Sequence, residues 1–206
     1  MMQTNPTGTI YIVDDDEDFR DSMQWLLESA NHNVVTFPSA REFLDNFNGE
    51  IGCMLLDVRM PEINGLALQQ IMQERNIQMP IIVISGHGDI PMAVSAMKQG
   101  AMDFLEKPFD GDVLLRLVGR ALSKAQKARD EQGAQLEIQE NYASLSRREK
   151  EVMALVVAGN ANRQIAEELD ISPKTVEVHR SRVMSKMRAG SLASLVKQAS
   201  QLNEQA

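Results

Sequence analysis

The sequence predicts a doubly wound α/β domain built on a five-stranded parallel sheet, followed by a small all-α helix-turn-helix domain. Three observations carry that reading. Short apolar runs, "TIYIVD", "NVVTF", "CMLLD", "PIIVIS" and "MDFLE", alternate with amphipathic segments over residues 9–122. Strands that alternate with helices imply right-handed crossovers and a parallel sheet covered on both faces. Residues 143–206 read as helix and turn throughout. Charge divides in the same place: residues 1–122 hold 8 Lys and Arg against 18 Asp and Glu, residues 123–142 hold 3 against 4, and residues 143–206 hold 10 against 7. An acidic front and a basic back point to different partners for the two parts. The expected division is a first domain over 9–122, a helical linker over 123–142 and a second domain over 143–206, within the range that 206 residues allow.

Each element has its own local signals. Ser39 to Glu42 reads as a capping box before "EFLDNF", and Pro91, after Asp89, suits an early helical position. A helix is expected from about Val113 to Gln139. Leu114, Leu117, Val118, Ala121 and Leu122 form its core-facing stripe, and its later part is expected to be an exposed linker weakened by Gly133. That part sustains no apolar heptad, which argues against a coiled coil. Ser146 to Glu149 is a second capping box, opening "EVMALVVAG" with Gly159 as its stop. "NRQIAEELD" is a short helix, and Ser172 with Pro173 starts the four turns of "KTVEVHRSRVMSKM". The segment "SLASLVKQASQL" closes the chain, and a short helix, a tight turn and a longer basic helix make a helix-turn-helix pattern.

Other residues exclude function classes. No apolar stretch reaches the ~18–20 residues of a membrane span, and "MMQTNPTGT" lacks the regions of a signal peptide, so a cytoplasmic protein is expected. The one cysteine, Cys53, reads as a small core residue and gives no disulfide framework. His32 and His87 have no partners at metal-ligand spacing, the 13 Met read as core filler, and Trp25 is expected to pack inward from the first helix.

Chemistry concentrates at the ends of the predicted strands. The first strand runs into Asp14, Asp15 and Asp16, the third ends at Asp57, the fourth at Ser85, and Lys107 follows the fifth. In an open parallel sheet these ends open into one crevice. Two carboxylates ~4 Å apart repel by roughly 4 kcal/mol at an effective dielectric of about 20, so either these side chains splay into water or a positive group sits among them. Carboxylates from two strand ends form an all-oxygen site suited to a hard cation such as Mg²⁺, which would bridge an incoming phosphoryl group. A carboxylate is also a nucleophile that forms an aspartyl-phosphate. Asp57, alone at its strand end and facing the other groups, is the candidate acceptor, with Lys107 as cation and Ser85 as hydroxyl donor for the phosphoryl oxygens.

The segments "YIVDDDEDFR", "MLLDVRMPEINGL" and "PIIVISGHGDIPMAVSAMKQGAMDFLEKPF" together resemble a response-regulator receiver domain, with its flavodoxin-like fold, over residues 9 to about 122. The resemblance implies a Mg²⁺ pocket from Asp14, Asp15, Asp57 and the Arg59 main-chain carbonyl. It implies that Asp57 takes its phosphoryl group from a sensor histidine kinase, with Ser85 as switch hydroxyl, Lys107 as the paired lysine and Phe104 as switch aromatic. Asp16 falls outside that set and is expected to serve the start of the first helix.

"LSRREKEVMALVVAGNANRQIAEELDISPKTVEVHRSRVMSKM" resembles the LuxR-type helix-turn-helix, and the whole chain is similar to the FixJ-type subgroup of the NarL/LuxR class of transcription factors. Val176, Val183, Met187 and part of His179 should face the domain core. By the positions that match the family's readers, Glu177, Val178 and Ser181 are assigned to base edges, and Lys174, Thr175, Arg163 and Arg182 to phosphate. The implied partners are double-stranded promoter half-sites, a second copy of the chain on phosphorylation, and RNA polymerase. The modest positive balance of the second domain predicts weak DNA binding by one copy, which favours a dimer. The face from Pro91 to Lys107 is the expected route from phosphorylation to dimerisation or release of the DNA-binding domain.

Two other readings are weaker. An aspartyl-phosphate phosphatase needs a second acid two residues beyond its nucleophile, and Arg59 stands there instead. Phosphorylation-independent DNA binding would leave the acidic pocket without a purpose.

Overall fold

The computed structural model describes residues 8–86 and 90–203; His87 and Asp89, in the expected glycine-rich turn, lie outside the described residues. The chain divides into two compact units, residues 1–129 and 130–206. The division falls inside the 123–142 segment expected to link them.

The first unit runs β1 (Thr9–Val13), α1 (Glu17–Ser29), β2 (Asn33–Phe37), α2 (Ala40–Asn46), β3 (Gly52–Asp57), α3 (Gly65–Glu74), β4 (Ile81–Ser85), α4 (Ile90–Lys98) and β5 (Asp103–Glu106), and then enters α5 (Gly111–Ala143). The five strands pair in parallel in the order β2-β1-β3-β4-β5. Period-2 alternation sends Tyr11, Val13, Met54, Leu56 and Val83 into the core on one face, and Ile10, Ile12, Cys53, Leu55, Ile82 and Ile84 into the core on the other. Burial of Cys53 pushes its thiol up to about 12, consistent with an inert core residue.

The helix starts follow the sequence signals. Asp16 caps α1 by accepting from the Phe19 amide, and the Ser39 hydroxyl accepts from the Glu42 amide at α2. Trp25 is a correction: it is 74% exposed. The inward stripe of α1 is Phe19, Met23, Leu26 and Leu27, and at 3.6 residues per turn position 25 falls nearly opposite position 23. At the far end of α4, Gly100 takes φ +89°, and buried Gln69 of α3 donates to the carbonyls of Ala96 and Gln99. This ties α4 to α3.

Helix α5 carries Leu114, Val118, Ala121 and Leu122 into the first core as the stripe predicts, and it continues unbroken through Gly133. The later part is not uniformly exposed. Ala125 is buried, and Ile138 and Tyr142 pack on the core of the second unit. Those two residues lie four apart on one helix face, a repeat too short to register as an amphipathic pattern.

The second unit continues with α6 (Arg147–Val157), α7 (Asn162–Leu169), α8 (Pro173–Lys186) and α9 (Leu192–Asn203). Its core gathers Leu145, Val152, Met153, Val156, Ile165, Val176, Val183, Met187 and Leu195. The Ser146–Glu149 capping box forms in both directions, Gly159 at φ +88° follows α6, and Ser172 caps α8 with Pro173 in its first turn.

Candidate functional site

Because all five strands are parallel, their carboxyl ends share one edge of the sheet. Asp14 follows β1, Asp57 ends β3, Ser85 ends β4 and Lys107 follows β5, with Val13 beside Leu56, Asp57 beside Ile84 and Ser85 beside Glu106. Asp14, Asp57 and Ser85 are each buried. The Lys107 ammonium bridges the two acids, 2.8 Å from Asp14 Oδ2 and 3.4 Å from Asp57 Oδ1. The positive group demanded by paired carboxylates is thus supplied in part by a lysine from another strand end.

Burial raises the Asp57 carboxyl above its ordinary value and the charge of Asp14 raises it further, while Lys107 and the Arg59 main-chain N–H, 2.6 Å from Asp57 Oδ2, oppose the rise. Asp14 Oδ1 accepts from the Asp16 amide at 2.9 Å, and the Asp14 carbonyl accepts from Arg20 at 2.7 Å. Asp15 is exposed. Ser85 Oγ lies 3.8 Å from Met92 Sδ of α4, and its carbonyl accepts from the Lys107 amide at 2.9 Å. Phe104, half-buried, packs with Met92 on the core that includes Val83 and Ala96. The Lys107–Pro108 bond is cis.

The structure therefore brings together Asp14, Asp57 and Lys107, with Ser85 at the neighbouring strand end. Among the described residues no group of three or more His, Cys, Asp and Glu side chains is gathered for a metal ion. Two oxygen-only carboxylates, both buried and with the charge of one raising the other's affinity for a proton, are nonetheless a donor set that fits a hard divalent cation.

The sequence reading missed two residues. Phe19 carries the Lys107 ammonium 3.5 Å above its ring centroid, and Phe109 meets that ring edge-on at 6.3 Å and 85°. Arg20 ties α1 to the end of β1 through the Asp14 carbonyl. The only signal for Phe19 was its place three residues after the capping Asp16.

In the second unit, Lys174, Glu177, Val178, Ser181 and Arg182 are exposed along one face of α8, and Arg163 is exposed on α7. Val176, Val183 and Met187 are buried on the opposite face as expected. His179 is half-buried with its Nδ1 enclosed and without a hydrogen-bond partner. Thr175 is partly spent on the helix start: its hydroxyl lies 2.8 Å from Ser172 Oγ, to which its amide also donates. No described helix is long and apolar enough to cross a membrane.

Residues 10–119 match the model of the response regulator receiver domain, and residues 143–199 match that of bacterial regulatory proteins of the luxR family. The chain is 46% identical over 193 residues to the transcriptional regulatory protein FixJ of Bradyrhizobium diazoefficiens, covering 93% of this chain and 94% of that one. It is 46% identical over 198 residues to the response regulator protein TodT of Pseudomonas putida, covering 96% and 87%. Among solved structures, the response regulator StyR matches with a TM-score of 0.86 at 40% identity over 94% of this chain and 98% of that one. Full-length FixJ from B. japonicum matches with a TM-score of 0.59 at 45% identity over 96% and 98%.

Proposed function

The chain belongs to the two-component response regulators that join a receiver domain to a LuxR-family DNA-binding domain, and from that premise we propose that Asp57 is its phosphoryl acceptor and α8 its DNA-reading helix. It is a transcriptional regulator and not an enzyme. The observation that carries the proposal is the Lys107 ammonium held between the buried carboxylates of Asp14 and Asp57 at the carboxyl edge of the sheet. Asp57 attacks the phosphorus of the donor, in the cell the phosphohistidine of a sensor histidine kinase, whose P–N bond breaks and whose imidazole leaves, and Lys107 and Ser85 stabilise the transferred oxygens. Asp14, Asp15, Asp57 and the Arg59 carbonyl would hold Mg²⁺, which when bound neutralises charge on the phosphoryl group. The product carries about −1.5 to −2 charge where the carboxylate carried −1, at the strand end next to that of Ser85. Ser85 contacts Met92 of α4, and Phe104 of β5 packs against the same core as Met92, so α4 and β5 are the elements that would respond.

The response is read out as dimerisation in the cytoplasm and binding of paired half-sites on promoter DNA, with RNA polymerase as the next partner. Glu177, Val178 and Ser181 face base edges, and Lys174, Arg163 and Arg182 face phosphates, with Thr175 contributing beside its capping role. The test is footprinting of promoter DNA with and without a small phosphodonor, for the native chain and for Asp57→Asn. Donor-dependent occupancy in the native chain alone is expected; equal occupancy in all four conditions sinks the switch.

The two classes of contact are separable. Arg182→Ala is expected to weaken binding to all sequences alike and to lower the salt slope by about 1. Val178→Ala is expected instead to relax preference at one base pair, by about 1–3 kcal/mol of discrimination, with the salt slope unchanged. Salt titrations of affinity on matched and mismatched sites distinguish these outcomes.

A further inference from the structure

The first turn of α1 forms a closed circuit of contacts around Lys107. Asp16 donates its amide to Asp14 Oδ1 at 2.9 Å and accepts the Phe19 amide on its own Oδ1 at 3.1 Å. The Phe19 ring lies under the Lys107 ammonium at 3.5 Å, and Lys107 returns to Asp14 Oδ2 at 2.8 Å. Phe109, two residues beyond Lys107, meets the Phe19 ring edge-on, while Arg20 fastens the same turn to the Asp14 carbonyl. An aromatic ring with an ammonium over its face, itself braced by a second ring and by the helix cap, has the geometry of a cation–π contact.

That contact differs in kind from the two ion pairs. A divalent cation held by Asp14 and Asp57 would compete with Lys107 for those carboxylates, and the lysine side chain is 22% exposed, so it has a way out into solvent. The ring offers no ligand to a divalent cation, yet it attracts the ammonium by its quadrupole whether or not the carboxylates are otherwise engaged. We propose that Phe19 is a positioning residue for phosphoryl transfer, whose ring face keeps the Lys107 ammonium beside Asp57 when the carboxylates turn to other partners. This rests on the reading of Asp57 as acceptor and Lys107 as the cation for the phosphoryl group. It gives the run from Asp14 to Phe19 a second task beyond supplying acids: Asp16 fixes the amide, and thereby the ring, that carries a lysine from the other end of the domain.

The test uses the full chain. The Lys107 ε-methylene protons, observed by NMR without metal, should resonate upfield under the ring current, and Phe19→Leu should abolish that shift. The shift should persist when Mg²⁺ is added. Phosphorylation by a small phosphodonor at saturating Mg²⁺ is then compared for Phe19, Phe19→Tyr, Phe19→Leu and a series of mono-, di- and trifluorophenylalanine at position 19. Fluorination weakens the quadrupole at nearly constant shape, so it separates electrostatics from packing. The initial rate should fall stepwise along the series to about fivefold below native, the scale of one partly desolvated cation–π contact, with Phe19→Tyr close to native. A flat rate series, or Lys107 resonances that ignore Phe19→Leu, overturns the inference while leaving the acceptor reading intact. Native chain that takes no label on Asp57 overturns both.

Discussion

Asp57→Asn is expected to take up no phosphoryl group from a small donor in the presence of Mg²⁺, and to be more stable than the native chain at neutral pH. The first effect follows from removing the nucleophilic oxygen, which no other described residue at the carboxyl edge of the sheet replaces in position. The second follows from the electrostatics of the pocket. Burial and the neighbouring Asp14 raise the Asp57 carboxyl above its ordinary 3.8, so the folded chain holds that proton to higher pH than the unfolded chain does. Between the two values the folded state binds more protons, and stability falls as pH rises through that window. Above that window the whole penalty is present. An isosteric amide removes it and leaves Lys107 on Asp14, so the variant gains stability there. Calorimetry of both chains from acid to neutral pH checks this, with the gap between them opening just above the ordinary carboxyl value. A variant that still labels, or that is the less stable of the two at neutral pH, refutes the account of the pocket. The native chain thus keeps an unfavourable pair of buried acids where the proposed phosphoryl transfer calls for them.

Lys186→Met is expected to have the largest effect on the second unit. Glu149 is buried, with 4% of its side chain exposed, and its carboxylate accepts from Lys186 Nζ at 2.7 Å and from the Ser146 amide at 2.8 Å. The Lys186 hydrogen bond, then the Ser146 amide, hold the Glu149 carboxyl down at about 2. Lys186 also donates to the Ser144 carbonyl at 3.1 Å, so one ammonium joins the end of α8 to the start of α6. Removing it leaves an enclosed carboxylate with the capping amide alone, a loss of about 2–3 kcal/mol, reduced from the full value for a buried pair because Lys186 is itself 40% exposed. Because the folded value lies below the unfolded 4.5, the pair's contribution is fully present above pH 4.5 and disappears as pH falls toward 2. Amide hydrogen exchange of α6 and α8 in the full chain measures the change. Protection unchanged by Lys186→Met at neutral pH would refute it.

The site and the fold were legible in the sequence to different depths. Strand number, strand ends, helix caps and the burial stripe of α5 were all written locally, as period-2 alternation, Ser and Pro at helix starts, and apolar spacing. The topology of a parallel sheet then required Asp14, Asp57, Ser85 and Lys107 to share one edge, so their assembly was predictable without coordinates. The same logic sorted α8 into a buried face at Val176, Val183 and Met187 and an exposed one at Glu177, Val178 and Ser181.

Tertiary structure alone decided the rest, because it depends on side-chain direction and on contacts between residues far apart in sequence. Trp25 is apolar in composition, yet its angle on α1 turns it to solvent, which only the placement of that helix on the sheet fixes. Helix α5 continues past Gly133 because Ile138 and Tyr142 find a core in the second unit, and packing of that kind outweighs the roughly 1 kcal/mol that a helical glycine costs. Lys107 reaches Asp14 and the Phe19 ring, and Lys186 reaches Glu149, across separations that no local pattern encodes. Residue order is enough to say which residue types stand at the sheet's carboxyl edge and on the exposed face of α8. The folded chain decided which of those charges touch, since a Coulomb or cation–π contact exists only where two side chains are held within a few ångströms.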